Sequence, residues 1–225
     1  MANFDKMERK KVRRVAGASM IGTTIEWYDY YIFGTAAVLV LNDQFFPALS
    51  PAAGVLASLA TFSVAFIARP FGGLIFGHFG DKVSRKTILV WSLLMMGSAT
   101  FLVGLLPNFE AIGIWAPILL VTLRFLQGLA VGGEWGGAVL MALEHAPPHK
   151  RAFYASWTQA GVPAALVLSS LVFYLLQGMD DEAFQAWGWR IPFLISALLI
   201  VIGLFIRLNV TESPEFLKMK AEQRG

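Results

Sequence analysis

Six apolar runs, each long enough to cross a membrane, occupy most of the 225 residues. A transmembrane helix needs about 20 residues. The first run follows a basic stretch and extends to about residue 41, and the others cover about 53–76, 87–106, 117–143, 153–176 and 191–208. The sequence therefore predicts an all-α integral membrane protein. Its six transmembrane helices lie within residues 15–208, between an N-terminal segment (1–14) and the start of a further loop (209–225).

The charge content supports this class of protein. Only 15% of the residues are charged, whereas soluble domains have roughly 25%. This excludes a soluble enzyme domain, a disordered tail and a nucleic-acid binder, so we expect no nucleic-acid partner. The chain has no cysteine, and its three histidines fall in the loops. The sequence therefore predicts neither an enzyme nor a metal or cofactor site.

Basic residues are concentrated on one side of the predicted bundle. All of the 18 Lys and Arg residues except Arg69, Arg124 and Arg190 fall in the N-terminal segment or in alternate loops, and Arg207 is counted with them at the end of the sixth run. The positive-inside rule places such loops in the cytoplasm. We expect a multi-pass protein of the inner (plasma) membrane with both termini cytoplasmic.

Five ionisable residues interrupt the apolar runs. A charge at membrane depth costs several kcal/mol and usually faces a partner or a wet cavity on a transport path. Counting along the helices predicts pairs between Arg124 and Asp29, and between Arg69 and either Glu134 or Glu26. The alternative is that such pairs only fix helix packing. The five residues are Glu26, Asp29, Arg69, Arg124 and Glu134.

The predicted charge balance suggests a proton site. Two buried cations face three buried acids, which leaves one acid without a full partner. We therefore expect Glu26, Asp29 or Glu134 to bind and release a coupling proton. Glycines at positions 128, 132 and 136 recur every four residues beside Glu134, a spacing that lets transmembrane helices approach closely.

Three motifs resemble those of the major facilitator superfamily. The loop after the second run resembles its signature loop, the fourth run its fourth-helix arginine motif, and the segment after the sixth run an acidic Ser-Pro motif. The segments are Gly77-His78-Phe79-Gly80-Asp81-Lys82-Val83-Ser84-Arg85-Lys86, Arg124-Phe125-Leu126-Gln127-Gly128 and Thr211-Glu212-Ser213-Pro214-Glu215-Phe216-Leu217.

Further segments are similar to one branch, the metabolite:proton symporters, which include shikimate, α-ketoglutarate and proline/betaine permeases. Together these segments extend over nearly the whole chain. They are Glu26-Trp27-Tyr28-Asp29, Arg69-Pro70-Phe71-Gly72-Gly73, Gly132-Gly133-Glu134-Trp135-Gly136-Gly137 and Gly188-Trp189-Arg190-Ile191-Pro192-Phe193.

The resemblance implies the N-terminal six-helix half of a twelve-helix transporter, built from two inverted three-helix repeats. It implies proton symport of a small organic solute, a carboxylate or a zwitterionic metabolite, by alternating access. The partners would be the solute, a proton, the lipid bilayer and a missing C-terminal half or a second copy. A half-size channel or scaffold, or a homodimeric transporter without proton coupling, remains the alternative.

The resemblance also assigns provisional roles. Arg124 or Arg69 would meet a substrate carboxylate, because arginine offers bidentate geometry. Gly77 would permit a close helix crossing in a cytoplasmic gate. The whole gate set is Gly77, Asp81, Arg85 and Lys86, and the expected pocket-lining residues are Tyr28, Tyr30, Gln127 and Gln159.

Overall fold

The computed structural model describes residues 2–82 and 84–210, with side chains for residues 10–79, 84, 86–134 and 142–210. Six long helices account for most of this part of the chain. They are α1 (Ala2–Ala36, continued by a π turn, Ala37–Leu41), α2 (Pro51–Lys82), α3 (Arg85–Leu105), α4 (Trp115–His145), α5 (Arg151–Leu176) and α6 (Ile191–Leu208). The predicted all-α fold is confirmed.

Short helical segments fill three of the connections. They are Asn42–Phe45, Phe109–Ile112 and Asp181–Ala186, and single 3₁₀ turns at Pro148–Lys150 and Gly188–Arg190 precede α5 and α6. With an even number of crossings, α1 begins and α6 ends at the same end of the bundle, called here the terminal end. At that end Ser84 caps α3 by accepting a hydrogen bond from the Thr87 amide at 3.0 Å.

Five of the six long helices are long and apolar enough to cross a membrane, with mean hydropathies between 1.5 and 2.5. The exception is α1, in which four polar residues lie on the face that packs inside the bundle. Ser19, Thr23, Glu26 and Asp29 are all at least 94% buried. Their spacing of three or four residues puts them on one helix face. The polar face of α1 is therefore the inner one.

The helix contacts follow an approximate two-fold pattern. The most extensive contacts join α2 to α4 and α1 to α5. If α1, α2 and α3 are exchanged with α4, α5 and α6 in that order, the α2–α4 pair becomes the α5–α1 pair. The same exchange relates the α3–α4 contact to the α1–α6 contact, and α3 packs directly on α6. This is the arrangement expected of two inverted three-helix repeats.

Glycines set the separation of α2 and α4. A Cβ atom on Gly128 would collide with the carbonyl oxygen of Ala65, and one on Gly132 would collide with that of Arg69. A side chain at either position would force the two backbones apart, as the four-residue glycine spacing predicts. Gly136 lies outside the described side chains.

Candidate functional site

Asp29 and Arg124 form the most enclosed of the three ion pairs that the structure describes. Nη1 of Arg124 lies 3.1 Å from Oδ2 of Asp29. Oδ1 of Asp29 accepts hydrogen bonds from Gln127 Nε2 at 3.0 Å and from the Thr100 hydroxyl at 2.7 Å. All four residues are at least 98% buried. The predicted pairing of Arg124 with Asp29 is confirmed.

Arg124 is also enclosed by aromatic rings. Its guanidinium carbon lies 4.1 Å from the centroid of the Phe33 ring, 5.5 Å from that of Tyr30 and 5.6 Å from that of Phe62. Such rings stabilise a cation through their negative faces. Nη1 of Arg124 also donates to Gln127 Oε1 at 2.5 Å. The pair is thus embedded in a polar network that reaches α1, α3 and α4. Both oxygens of Asp29 are satisfied in it, whereas Nε and Nη2 of Arg124 have no hydrogen-bond partner among the described residues.

Glu26 and Arg69 form a second, looser pair one helical turn away on α1. Nη2 of Arg69 lies 3.7 Å from Oε1 of Glu26. Among the described residues, neither Nη2 of Arg69 nor Oε2 of Glu26 has a hydrogen-bond partner. Nε of Arg69 donates to the Tyr30 hydroxyl at 3.1 Å. Of the two predicted partners for Arg69, the structure pairs it with Glu26.

Glu134 pairs with Arg207, which corrects two expectations. Arg207 was counted as a cytoplasmic loop cation, but it is only 6% exposed and donates to Glu134 Oε1 and to the Leu89 carbonyl. The predicted alternative, Glu134 with Arg69, is wrong. Arg207 lies in the last turn of α6 with apolar neighbours on both sides, and this position was the available signal that its side chain turns inward.

With Arg207 included, the described part of the chain has three buried acids and three arginine partners, so the expected count of two cations is wrong. Glu26 is nevertheless an acid without a full partner, because its ionic contact is long and its Oε2 has no hydrogen bond. The acids differ instead in how well their oxygens are satisfied. Asp29 accepts from several donors, whereas Glu26 has only the 3.7 Å ionic contact. Thr100, which bonds Asp29, was missed because a hydroxyl in an apolar run carries no distinctive spacing.

The four expected pocket-lining residues lie in different environments. Tyr28 is fully buried and donates its hydroxyl proton to the Pro192 carbonyl at 2.7 Å, which makes it a packing residue here. Tyr30 is 3% exposed and lies between Arg69 and Arg124. Gln127 is buried in the Asp29 network. Gln159 is exposed on α5.

The expected gate motif is described in part. Gly77 is exposed, and no neighbour lies within 4 Å of a Cβ atom built on it, so the close crossing expected there is not present in the described part of the chain. Lys86 Nζ donates to the Leu208 carbonyl at the end of α6 at 2.7 Å. The side chains of Asp81 and Arg85, and all of the Thr211–Leu217 motif, lie outside the described residues.

The two cations at the starts of α3 and α6 have matching roles. Lys86 binds a carbonyl at the end of α6, and Arg190 binds the carbonyls of Gly104 and Leu106 at the end of α3, at 3.0 and 2.6 Å. Cations at these positions satisfy carbonyl groups that the helix leaves free. In the α3–α6 pair, the C-terminal end of each helix is therefore capped by a cation from the start of the other helix.

An apolar six-helix bundle with inverted repeats and charged pairs on its inner faces is the architecture of a secondary transporter half. The chain matches the sugar (and other) transporter family over residues 15–224. It belongs to that family, within the major facilitator superfamily, as the sequence motifs indicated.

Curated relatives and solved structures agree with this assignment. The chain is 54% identical to the inner membrane metabolite transport protein YhjE and 53% identical to the shikimate transporter, both of Escherichia coli K12. Each match covers 92% of this chain and 47% of the relative, so the chain spans about half the length of these proteins. The inward-open xylose transporter XylE of E. coli has the same fold, with a TM-score of 0.80 at 18% identity, covering 92% of this chain and 50% of that one.

Proposed function

We propose that this chain forms one six-helix half of a proton-coupled symporter that moves a small organic solute by alternating access. The observation that carries the proposal is the set of three ion pairs on the inner faces of an otherwise apolar bundle. Ionic side chains at membrane depth are costly, and they mark substrate and proton paths in most membrane proteins. Packing alone does not require the loosely paired, partly exposed arrangement of Glu26 and Arg69.

The proposed substrate is a carboxylate or a zwitterionic metabolite. Two features support this class. Arg69 and Arg124 are cations on the inner part of the bundle, and arginine binds carboxylates in bidentate fashion. One relative at 53% identity is named for shikimate, which is a carboxylate.

The proposed partner is a second six-helix unit, either a C-terminal half or a second copy. Large apolar side chains are exposed along α2 and α5, among them Leu56 at 68%, Leu74 at 75% and Leu175 at 68%. In a bilayer such residues face lipid or another helix. The chain's coverage of about half of its relatives supports a second unit facing the Glu26–Arg69 side.

The proposed proton carrier is one of Glu26, Asp29 and Glu134, and the proposed gate lies at the terminal end, which we expect to face the cytoplasm. Asp81 and Arg85 would contribute to the gate. Lys86 supports this assignment by joining the start of α3 to the end of α6. A half-size channel or scaffold, or a dimeric transporter without proton coupling, is the competing function.

Uptake into proteoliposomes tests the proposal. The full-length protein is reconstituted with an imposed proton gradient, alkaline inside, and offered shikimate, α-ketoglutarate, proline and glycine betaine. We expect accumulation of at least one solute above its external concentration, and collapse of that accumulation on addition of a protonophore. A channel would equilibrate the solute without accumulating it, and a proton-independent transporter would be insensitive to the protonophore.

A further inference from the structure

Arg69 is the most accessible of the three arginines in the ion pairs. Its side chain is 27% exposed, whereas that of Arg207 is 7% exposed and that of Arg124 is completely buried. Arg69 is therefore the arginine of the three that a solute can approach with the least rearrangement, although its Nη2 atom is itself buried. To reach Arg124, it would have to displace the rings of Tyr30, Phe33 and Phe62.

The guanidinium of Arg69 is held in place before any ligand arrives. Its carbon lies 4.6 Å from the ring centroids of both Tyr30 and Phe66, and its Nε donates to the Tyr30 hydroxyl. Two rings and one hydrogen bond fix its plane, while Nη2 has no hydrogen-bond partner among the described residues. A positioned arginine with free N–H groups suits a carboxylate, because little side-chain freedom is lost on binding.

Glu26 competes weakly for this guanidinium. A separation of 3.7 Å is too long for a hydrogen bond between nitrogen and oxygen. Charge-assisted hydrogen bonds form at about 2.7–2.9 Å. A substrate carboxylate that makes such bonds therefore replaces a poorer contact with a better one. The displaced Glu26 is left 98% buried with no cationic partner, a state that a carboxylate avoids by taking up a proton.

We propose that Arg69 is the cation that binds the substrate carboxylate, and that the carboxylate displaces Glu26, which takes up the coupling proton. This inference rests on the proposed symport function. In the exchange, a hydronium ion gives its proton to a Glu26 oxygen, so that one O–H bond breaks, one forms and water is left. The Arg69–Glu26 contact is replaced by an Arg69–carboxylate contact. For a monocarboxylate anion, one negative charge and one proton enter together and the net charge of the site is unchanged. For a zwitterion, the site gains one positive charge.

The other charged groups near Glu26 leave this exchange intact. They are paired among themselves, Asp29 with Arg124 and Glu134 with Arg207. The Tyr30 hydroxyl faces Arg69 and accepts from its Nε. Arg69 is thus the one described cation whose partner changes, and Glu26 the one acid that loses its partner. The titratable and charged groups around Glu26 are Arg69, Tyr30, Asp29, Arg124, Glu134 and Arg207.

The test measures solute binding and proton uptake together on the full-length protein. The probe is the most strongly accumulated of shikimate, α-ketoglutarate, proline and glycine betaine, together with its methyl ester. Calorimetry in buffers of different ionisation enthalpy gives the number of protons bound with the solute. We expect about one proton per solute for the wild type and a preference for the acid over the ester of at least about tenfold, or about 1.4 kcal/mol.

The variants separate binding from proton uptake. Arg69→Gln should weaken binding of the acid by at least about tenfold and remove the preference over the ester. Arg69→Lys should restore only part of the affinity, because a lysine lacks the bidentate fork. Glu26→Gln should bind the solute and exchange it across the membrane, but without proton uptake and without gradient-driven accumulation. Arg190→Lys, at the start of α6 and far from the Glu26–Arg69 pair, is the control and should behave as the wild type.

The outcomes separate this inference from the function on which it rests. If the wild type accumulates none of the four solutes, the proposed function and this inference both fail. If the wild type accumulates a solute with its proton, but Glu26→Gln still takes up the proton or Arg69→Gln still prefers the acid, this inference alone is overturned. Loss of proton uptake in Asp29→Asn with normal uptake in Glu26→Gln would assign the proton to Asp29 instead.

Discussion

The Asp29–Arg124 and Glu26–Arg69 pairs begin from acids three residues apart on the same face of α1, yet they are built differently. Asp29 has an ionic contact at 3.1 Å and two further hydrogen-bond donors, and its arginine is sealed by rings. Glu26 has one contact at 3.7 Å, and its arginine is partly exposed. A closed network with every acid oxygen satisfied resists change, whereas an incompletely satisfied pair is suited to exchanging partners.

The partners explain the difference between the two sites. Arg124 comes from α4, which packs against α1, α2, α3 and α5, so its side chain projects into the centre of the bundle. Arg69 comes from α2, which makes few direct contacts with α1 and is widely exposed. We therefore expect the first site to matter most for stability and the second for solute binding.

Arg124→Gln should give the largest loss of stability. It leaves Asp29 buried without its cation, and breaking a buried pair from one side costs about 3–5 kcal/mol. The free energy of unfolding, measured by detergent titration of the full-length protein, should fall by this amount. Arg69→Gln is the matched control and should lose only about 1–2 kcal/mol. Equal losses in the two variants would remove the distinction between a closed and an open site.

Arg207→Met should rank second, at about 3 kcal/mol, because Glu134 is 1% exposed and loses its ionic partner. The double variant Glu134→Met/Arg207→Met should recover most of the loss, since replacing both members of a buried pair by apolar residues is often neutral. The same unfolding titration measures all three proteins. A double variant as unstable as the single one would mean that Arg207 contributes chiefly through the Leu89 carbonyl.

The Glu134–Arg207 pair could not be predicted from the sequence, although the helices and the Asp29–Arg124 pair could. The six helices followed from apolar runs, and the Asp29–Arg124 pair from depth along two helices. Arg207 was misassigned because depth counting treats the end of an apolar run as the membrane surface. The side chain of Arg207 is instead buried and contacts Glu134 of α4 and the Leu89 carbonyl of α3. Two further features could not be predicted. The contact of Thr100 with Asp29 depends on how the helices are rotated, and the orientation of the Arg69 guanidinium depends on neighbouring rings. The spacing of residues in one sequence specifies neither.

Gly132→Ala tests whether the α2–α4 crossing supports the open site selectively. The new Cβ would collide with the carbonyl oxygen of Arg69 itself, so the turn that carries Arg69 must shift. Overpacking of this kind costs about 1–3 kcal/mol. We expect solute affinity to fall together with the free energy of unfolding. Gly17→Ala is the control, because no neighbour lies within 4 Å of its added Cβ, and it should be neutral or slightly stabilising.

Thr100→Val and Tyr30→Phe form the finest comparison, because each removes one hydroxyl next to one of the two pairs. Thr100→Val deletes a 2.7 Å bond to Asp29 and the acceptor for Gln127 in a sealed network, so it should cost about 1–3 kcal/mol of unfolding free energy. Tyr30→Phe deletes only the acceptor for Arg69 Nε and keeps the ring, so its stability loss should be below about 1 kcal/mol. Its effect should appear instead as weaker solute binding, because the guanidinium plane is no longer fixed by a hydrogen bond. If Tyr30→Phe lost more stability than Thr100→Val and bound solute normally, the hydroxyl of Tyr30 would belong to the structural network, and the open site would consist of Arg69 and Glu26 alone.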